Sequence, residues 1–73
     1  MTTYIYAVCD DTYNQIKTIS AMSLNDAQGR IIEKFRDYLE IDEEYDNWKE
    51  FIEDMEDHEI YITPNIKVLE ELQ

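Results

Sequence analysis

The chain is poor in the residues that mark several protein classes. Its 73 residues include one cysteine, one glycine and one proline, and only six basic residues accompany 18 acidic ones. A lone cysteine cannot form an internal disulfide, which argues against a disulfide-stapled secreted domain. No apolar run approaches the ~20 residues of a membrane span, and the first residues do not resemble a signal peptide. These absences predict a cytoplasmic protein that does not enter a membrane.

The length of the chain allows one small domain, residues 1–73, with a single core. Apolar residues make up 44% of the sequence, which is typical of a folded protein and not of a disordered one. The lone Cys9 falls within an apolar run, so we expect it to pack in the core as a small hydrophobic residue.

Two strands are predicted in the first third of the chain. Tyr4 to Cys9 alternates apolar residues between two faces and is rich in aromatic and β-branched residues. Residues 10–14 are polar, and Gln15 to Ala21 alternates again. This pattern predicts an antiparallel hairpin, with Lys17 protecting an exposed edge.

Two helices are predicted next. Apolar residues recur at helical spacing from Leu24 to Leu39, and Ser23 with Asp26 matches a capping box. Gly29 inside this helix suggests a close approach of another backbone segment. A second, shorter helix follows a cap at Asp46 or Asn47, and its apolar stripe consists of Trp48, Phe51, Ile52 and Met55.

The C-terminal part of the chain returns to strand character. Glu59 to Thr63 alternates and predicts a third strand, which Pro64 ends or interrupts. The tail Asn65 to Gln73 fits either an edge strand or, our preferred interpretation, a helix carrying Ile66, Leu69 and Leu72. The predicted fold class is therefore α+β: a small antiparallel sheet in ββααβ order with two helices on one face.

The negative charge is concentrated in one segment. Between Asp37 and Glu59 there are 12 acidic residues and one basic residue, Lys49, so this segment carries 11 of the chain's 12 net negative charges. Such segregation creates a directional field that attracts cations or basic proteins and repels nucleic acid. The alternative is a solvated acidic face without a binding role.

The sequence gives little support for an enzyme. The single histidine, His58, lies between two acids at the end of the second helix, and Cys9 has no basic neighbour in sequence. Glycine-rich phosphate loops, zinc-ligand spacing and nucleophile motifs are absent from the sequence. We predict no catalytic residue, no cofactor and no metal site, and the lack of a basic patch argues against direct nucleic-acid binding.

A calcium site is a third option for function. Five acids match positions 1, 3, 5, 9 and 12 of an EF-hand loop: Asp42, Glu44, Asp46, Glu50 and Glu53. Two other positions depart from the pattern, because Asn47 stands where the sharp turn needs glycine and Lys49 where an apolar residue is usual.

The tyrosines suggest contact surfaces. The chain has six, and Tyr13, Tyr38, Tyr45 and Tyr61 cannot all be buried in so small a core. Some of them could anchor a partner or a homodimer seam, and a free sheet edge is another route to pairing two copies.

The acidic segment carries a resemblance to a functional class. In its small size and its carboxylates arrayed on a short helix, the chain resembles phage-encoded DNA-mimic inhibitors. This class includes inhibitors of HU-type nucleoid proteins, inhibitors of uracil-DNA glycosylase, and anti-CRISPR proteins. That resemblance implies a non-enzymatic protein of the host cytoplasm that blocks the DNA-binding surface of a basic nucleoid protein or nuclease. The predicted contact residues are Asp42, Glu43, Glu44, Tyr45, Asp46, Glu50, Glu53, Asp54 and Asp57. The alternative is a small protein-interaction or regulatory module unrelated to nucleic acid.

Overall fold

The computed structural model describes residues 1–12 and 14–69. The fold is α+β, in the predicted ββααβ order, with an antiparallel sheet and two helices. Its elements are β1 (Thr2–Cys9), β2 (Asn14–Ala21), α1 (Leu24–Leu39), α2 (Trp48–Asp57), β3 (Tyr61–Ile62) and β4 (Lys67–Val68). Among the described helices, none has the length and apolar character that crossing a membrane requires.

The hairpin forms most of the sheet, with β1 at the centre and β2 at one edge. Strands β1 and β2 pair antiparallel from Thr2 opposite Ala21 to Cys9 opposite Asn14. Because side chains alternate along a strand, Tyr4, Tyr6 and Val8 share one face of β1, and all three are buried. Cys9 lies on the other face and is only half-buried, so the expectation that it packs in the core is wrong.

The last strand of the sheet is interrupted, as Pro64 suggested. Strand β3 pairs with Val8 and Cys9, whereas β4 pairs with Tyr4 and Ile5 on the same side of β1. Between them the Thr63 N–H donates to the Ala7 carbonyl at 2.9 Å, and the Thr63 hydroxyl oxygen accepts from the Ala7 N–H at 3.1 Å.

The preferred helical interpretation of the tail is wrong for its first part. Lys67–Val68 is an edge strand, and Ile66 just before it is buried. Pairing with the open side of β1 satisfies the backbone while this apolar side chain enters the core. Glu70 to Gln73, including Leu72 of the predicted helix, lie outside the described residues.

Helix α1 has the predicted bounds because both of its ends are specified locally. The Asp26 N–H donates to the Ser23 hydroxyl at 3.1 Å, and the Asp26 carboxylate accepts from the Met22 N–H at 2.9 Å. The helix ends at Leu39, and its C-cap residue Glu40 has a left-handed φ of 55°. Gly29 faces open space, so the predicted close backbone approach is wrong.

The core lies between the helices and one face of the sheet. Helix α1 packs over β2, and α2 packs over β3 at the opposite edge. The largest fully buried side chains are Ile31 of α1 with Phe51 and Met55 of α2. The other face of the sheet carries no helix in the described part of the chain, which leaves Ile16 76% exposed.

Candidate acidic binding surface

The local sequence around α2 fixes where its acids point. Asn47 caps the helix by accepting the Glu50 N–H at 2.9 Å, and the Glu50 carboxylate accepts the Asp46 N–H at 3.0 Å. Phe51 and Met55 are fully buried, and the Trp48 indole N–H donates to the Pro64 carbonyl at 2.9 Å. The cap and the buried stripe together set the rotation of the helix, so its opposite side faces solvent.

The solvent side of α2 carries four of the predicted contact residues. Glu50, Glu53, Asp54 and Asp57 follow the spacing i, i+3, i+4 and i+7, which places them on one face of the helix. Three of them are exposed, and Asp54 is half-buried. The structure therefore brings these four carboxylates together as the sequence predicted.

The loop between the helices, residues 40–47, supplies the other predicted acids. Asp42, Glu43, Glu44 and Asp46 are all exposed. The Arg36 guanidinium of α1 donates to the Asp42 carbonyl at 3.2 Å, which attaches the start of the loop to α1. We define the acidic surface as these four loop residues and the four carboxylates on the solvent side of α2.

Tyr45 joins the two parts of the acidic surface. Its ring packs edge-on against Phe51, with centroids 5.4 Å apart, and its hydroxyl donates to the Asp54 carboxylate at 2.5 Å. Burial, the hydrogen bond to Asp54 and the charges of Asp54 and Glu43 raise the pKa of Tyr45 to about 12. The side chain predicted as a partner contact thus has an internal role in the structure: its half-buried phenol holds the loop against α2.

A close pair of carboxylates outside the acidic surface was not predicted from the sequence. Glu59 follows α2 with a left-handed φ of 62° and approaches Asp11, which lies in the turn after β1. A hydrogen bond to the Asp11 side chain and its negative charge raise the pKa of Glu59. Asp11 is distant in sequence from the acidic segment, so only the fold could reveal this contact.

Charge is unevenly divided between the two helices. Helix α1 has three acids and three bases and is therefore neutral, whereas α2 has five acids and one base. The loop 40–47 adds five acids and no base. The negative charge of the helical layer thus belongs to the loop and α2.

The EF-hand spacing does not produce a twelve-residue loop. The segment from Trp48 onward is helical, so Glu50 and Glu53 project from a helix instead of turning toward Asp42. Across residues 1–12 and 14–69, no cluster of three or more histidine, cysteine, aspartate or glutamate side chains has an arrangement suited to a metal ion.

Among the described tyrosines, Tyr38 and Tyr61 are exposed, at 78% and 52%. Tyr13, the remaining tyrosine of the predicted contact group, lies outside the described residues.

Comparison with known protein families, with curated proteins and with solved structures finds no match to this chain.

Proposed function

We propose that the protein is a non-enzymatic DNA mimic that binds and blocks the nucleic-acid-binding surface of a basic protein. The observation that carries the proposal is the separation of charge within the helical layer, where α1 is neutral and the loop and α2 hold the acids. A uniformly acidic protein would gain solubility from its charge, whereas a localised array can be recognised by a complementary basic cleft.

The spacing of the carboxylates supports mimicry of a phosphate backbone. At a rise of 1.5 Å per residue, the four carboxylates in the row from Glu50 to Asp57 extend over about 10.5 Å of helix axis, a mean separation of ~3.5 Å. A DNA strand carries one phosphate per ~3.4 Å of axis. A basic protein that neutralises phosphates without reading bases could bind such a row with the same arginine and lysine side chains.

The expected partner is a basic DNA-binding protein, such as a nucleoid protein or a nuclease. The expected compartment is the cytoplasm, which is the host cytoplasm if the protein is phage-encoded. A first experiment is a pull-down from bacterial lysate with and without added DNA. The proposal expects a basic partner whose capture DNA suppresses. Simultaneous binding of DNA and this protein to the captured partner would refute it, as would an affinity unchanged between low and high salt.

A pair of matched variants tests the surface itself. Glu53→Gln with Asp57→Asn removes two exposed charges four residues apart on α2. Glu33→Gln with Asp37→Asn removes two exposed charges at the same spacing on neutral α1. Neither pair includes Glu50 or Asp54, whose side chains hold the loop.

The first variant should weaken partner binding by about 2- to 30-fold at low salt, the range expected for losing two ion pairs. The control variant should bind nearly as tightly as the unmodified protein. Equal losses from both variants would mean that net charge alone governs binding, and the proposed surface would then be wrong.

A second candidate function is an interaction module that uses the uncovered face of the sheet. This face exposes Ile16 and Tyr61 beside the half-buried Ile5 and Ala7, and the outer edge of β2 has no neighbouring strand among the described residues. Such a module would keep its partner in the α2 double variant and lose it on Ile16→Ser. The same edge is where a homodimer could form.

A further inference from the structure

A groove opens on the helix side of the sheet, at the end where the hairpin turns. It has a volume of about 230 Å³ and lies beneath the C-terminal half of α1. Its lining residues are Tyr6, Val8, Asp10, Gln15, Lys17, Lys34, Phe35, Tyr38 and Ile60. None of these belongs to the loop 40–47 or to α2, so the groove is separate from the acidic surface.

The lining of the groove includes an apolar and aromatic part. Val8, Phe35 and Ile60 supply apolar side chains, and the Phe35 ring packs against Phe51 with centroids 6.0 Å apart. Tyr6 is buried on one side of the groove, whereas Tyr38 is exposed at its rim. A planar, apolar group suits such a lining, because aromatic rings add specific edge and face contacts to simple burial.

Two cations also line the groove. Lys17 stands directly across from Tyr6 in the hairpin, and Lys34 projects from α1. Neither lysine forms an ion pair or hydrogen bond with any residue that the structure describes. Among the described lining residues the one acid is Asp10, which accepts the Thr12 N–H at 2.8 Å. These described residues therefore carry a net positive charge in a chain whose net charge is −12.

The size and the charge together define a class of ligand. A cavity of ~150 Å³ accommodates benzene, so about 230 Å³ accommodates one ring with a short acidic substituent. We propose that this groove binds a small aromatic anion, with the ring against Val8, Phe35 and Ile60 and the carboxylate between Lys17 and Lys34. The proposal does not depend on DNA mimicry.

Phenylacetate is a suitable probe of this groove. In titrations of ¹⁵N-labelled protein followed by NMR, it should shift the amide signals of the lining residues saturably, with a Kd of about 1 mM for a ligand of this size. Phenylacetamide keeps the ring and lacks the charge, and acetate keeps the charge and lacks the ring. Both should bind at least about tenfold more weakly, because phenylacetamide lacks the charge that the lysines attract and acetate lacks the ring that the apolar residues contact.

A charge-matched pair of variants locates the anion. Lys17→Gln with Lys34→Gln should raise the Kd for phenylacetate about tenfold. Lys49→Gln with Lys67→Gln removes the same charge from α2 and β4, away from the groove, and should change the Kd less than about twofold. All four lysines are exposed, and circular dichroism of each variant verifies its fold.

Three outcomes overturn the proposal. Phenylacetamide binding as tightly as phenylacetate would show that the lysines do not select an anion. Equal weakening by the two lysine variants would show a general attraction to positive charge. Signal shifts centred on residues outside the groove would place the ligand elsewhere. None of these results affects the outcome of the pull-down from lysate, so the test of the groove is independent of the test of DNA mimicry.

Discussion

Removing the hydroxyl of Tyr45 tests whether this side chain holds the acidic loop against α2. Tyr45→Phe deletes the hydrogen bond to Asp54 and keeps the ring contact with Phe51. The pKa of Tyr45 rises from 10.0 to about 12. A shift of this size corresponds to roughly 2.7 kcal/mol between the two protonation states. Burial is its largest cause and contributes nothing to the hydrogen bond, so the bond itself, with solvent screening at this half-buried site, contributes about 1 kcal/mol. For a domain of this size, that loss lowers Tm by roughly 4–8 °C.

The pH dependence of this loss follows from the direction of the shift. Because the folded state raises the pKa of the phenol, its stabilising contribution is fully present below pH 10, the ordinary pKa. The contribution disappears as the pH rises toward about 12, where the phenol ionises in the folded state as well. The difference in unfolding free energy between the protein and Tyr45→Phe should therefore be constant from pH 7 to 9 and shrink above pH 10.

Urea denaturation followed by circular dichroism at several pH values between 7 and 11.5 measures this difference. Tyr38→Phe is the matched control, because Tyr38 is exposed and its hydroxyl has no hydrogen bond to the described residues. The control should match the unmodified protein at neutral pH. A Tyr45→Phe variant as stable as the control at pH 7, or a difference that persists unchanged to pH 11.5, would refute the role assigned to the hydroxyl.

Two further substitutions test the cap of α2 and the contact between Asp11 and Glu59. Asn47→Ala removes the cap of α2 and should cost about 1 kcal/mol in urea denaturation, whereas Asn47→Asp should retain the cap and most of the stability. Asp11→Asn should raise Tm at pH 7, because it relieves repulsion with Glu59. Because the folded state raises the pKa of Glu59, this pair of carboxyl groups favours folding only in acid. The gain in Tm from Asp11→Asn should therefore vanish near pH 4. A gain in Tm that does not depend on pH would contradict the contact between the two side chains.

Elements with both a periodic pattern and local end signals were predictable from the sequence. The bounds of α1 are correct because the capping residues and the apolar spacing agree about where the helix lies. The alternation in β1 likewise predicted a strand, although it did not identify which of its two faces is buried. In these segments the local preference and the global packing favour the same structure.

The features that the sequence did not predict share a different cause, because they depend on contacts between distant parts of the chain. Whether Lys67–Val68 forms a strand depends on the open side of β1, about 60 residues earlier in the chain. The half-buried state of Cys9 depends on which face of the sheet the helices cover. Within the site, the row on α2 was predictable from helical spacing, whereas the bond from Tyr45 to Asp54 and the approach of Asp11 to Glu59 arise only from folding.

The acidic surface combines electrostatic repulsion with a rigid support. Like charges at i+4 on α2 each cost a few tenths of a kcal/mol, and the helix forms because Phe51 and Met55 are buried beneath them. Tyr45, Trp48 and Phe35 all pack against Phe51, so the loop, α2 and α1 meet at one aromatic cluster. Because its backbone is held in this way, the array loses little backbone conformational entropy when it binds a partner. The case for mimicry therefore rests on the order of this surface as well as on its charge, since disordered acids could also attract a basic protein but would have to be ordered on binding.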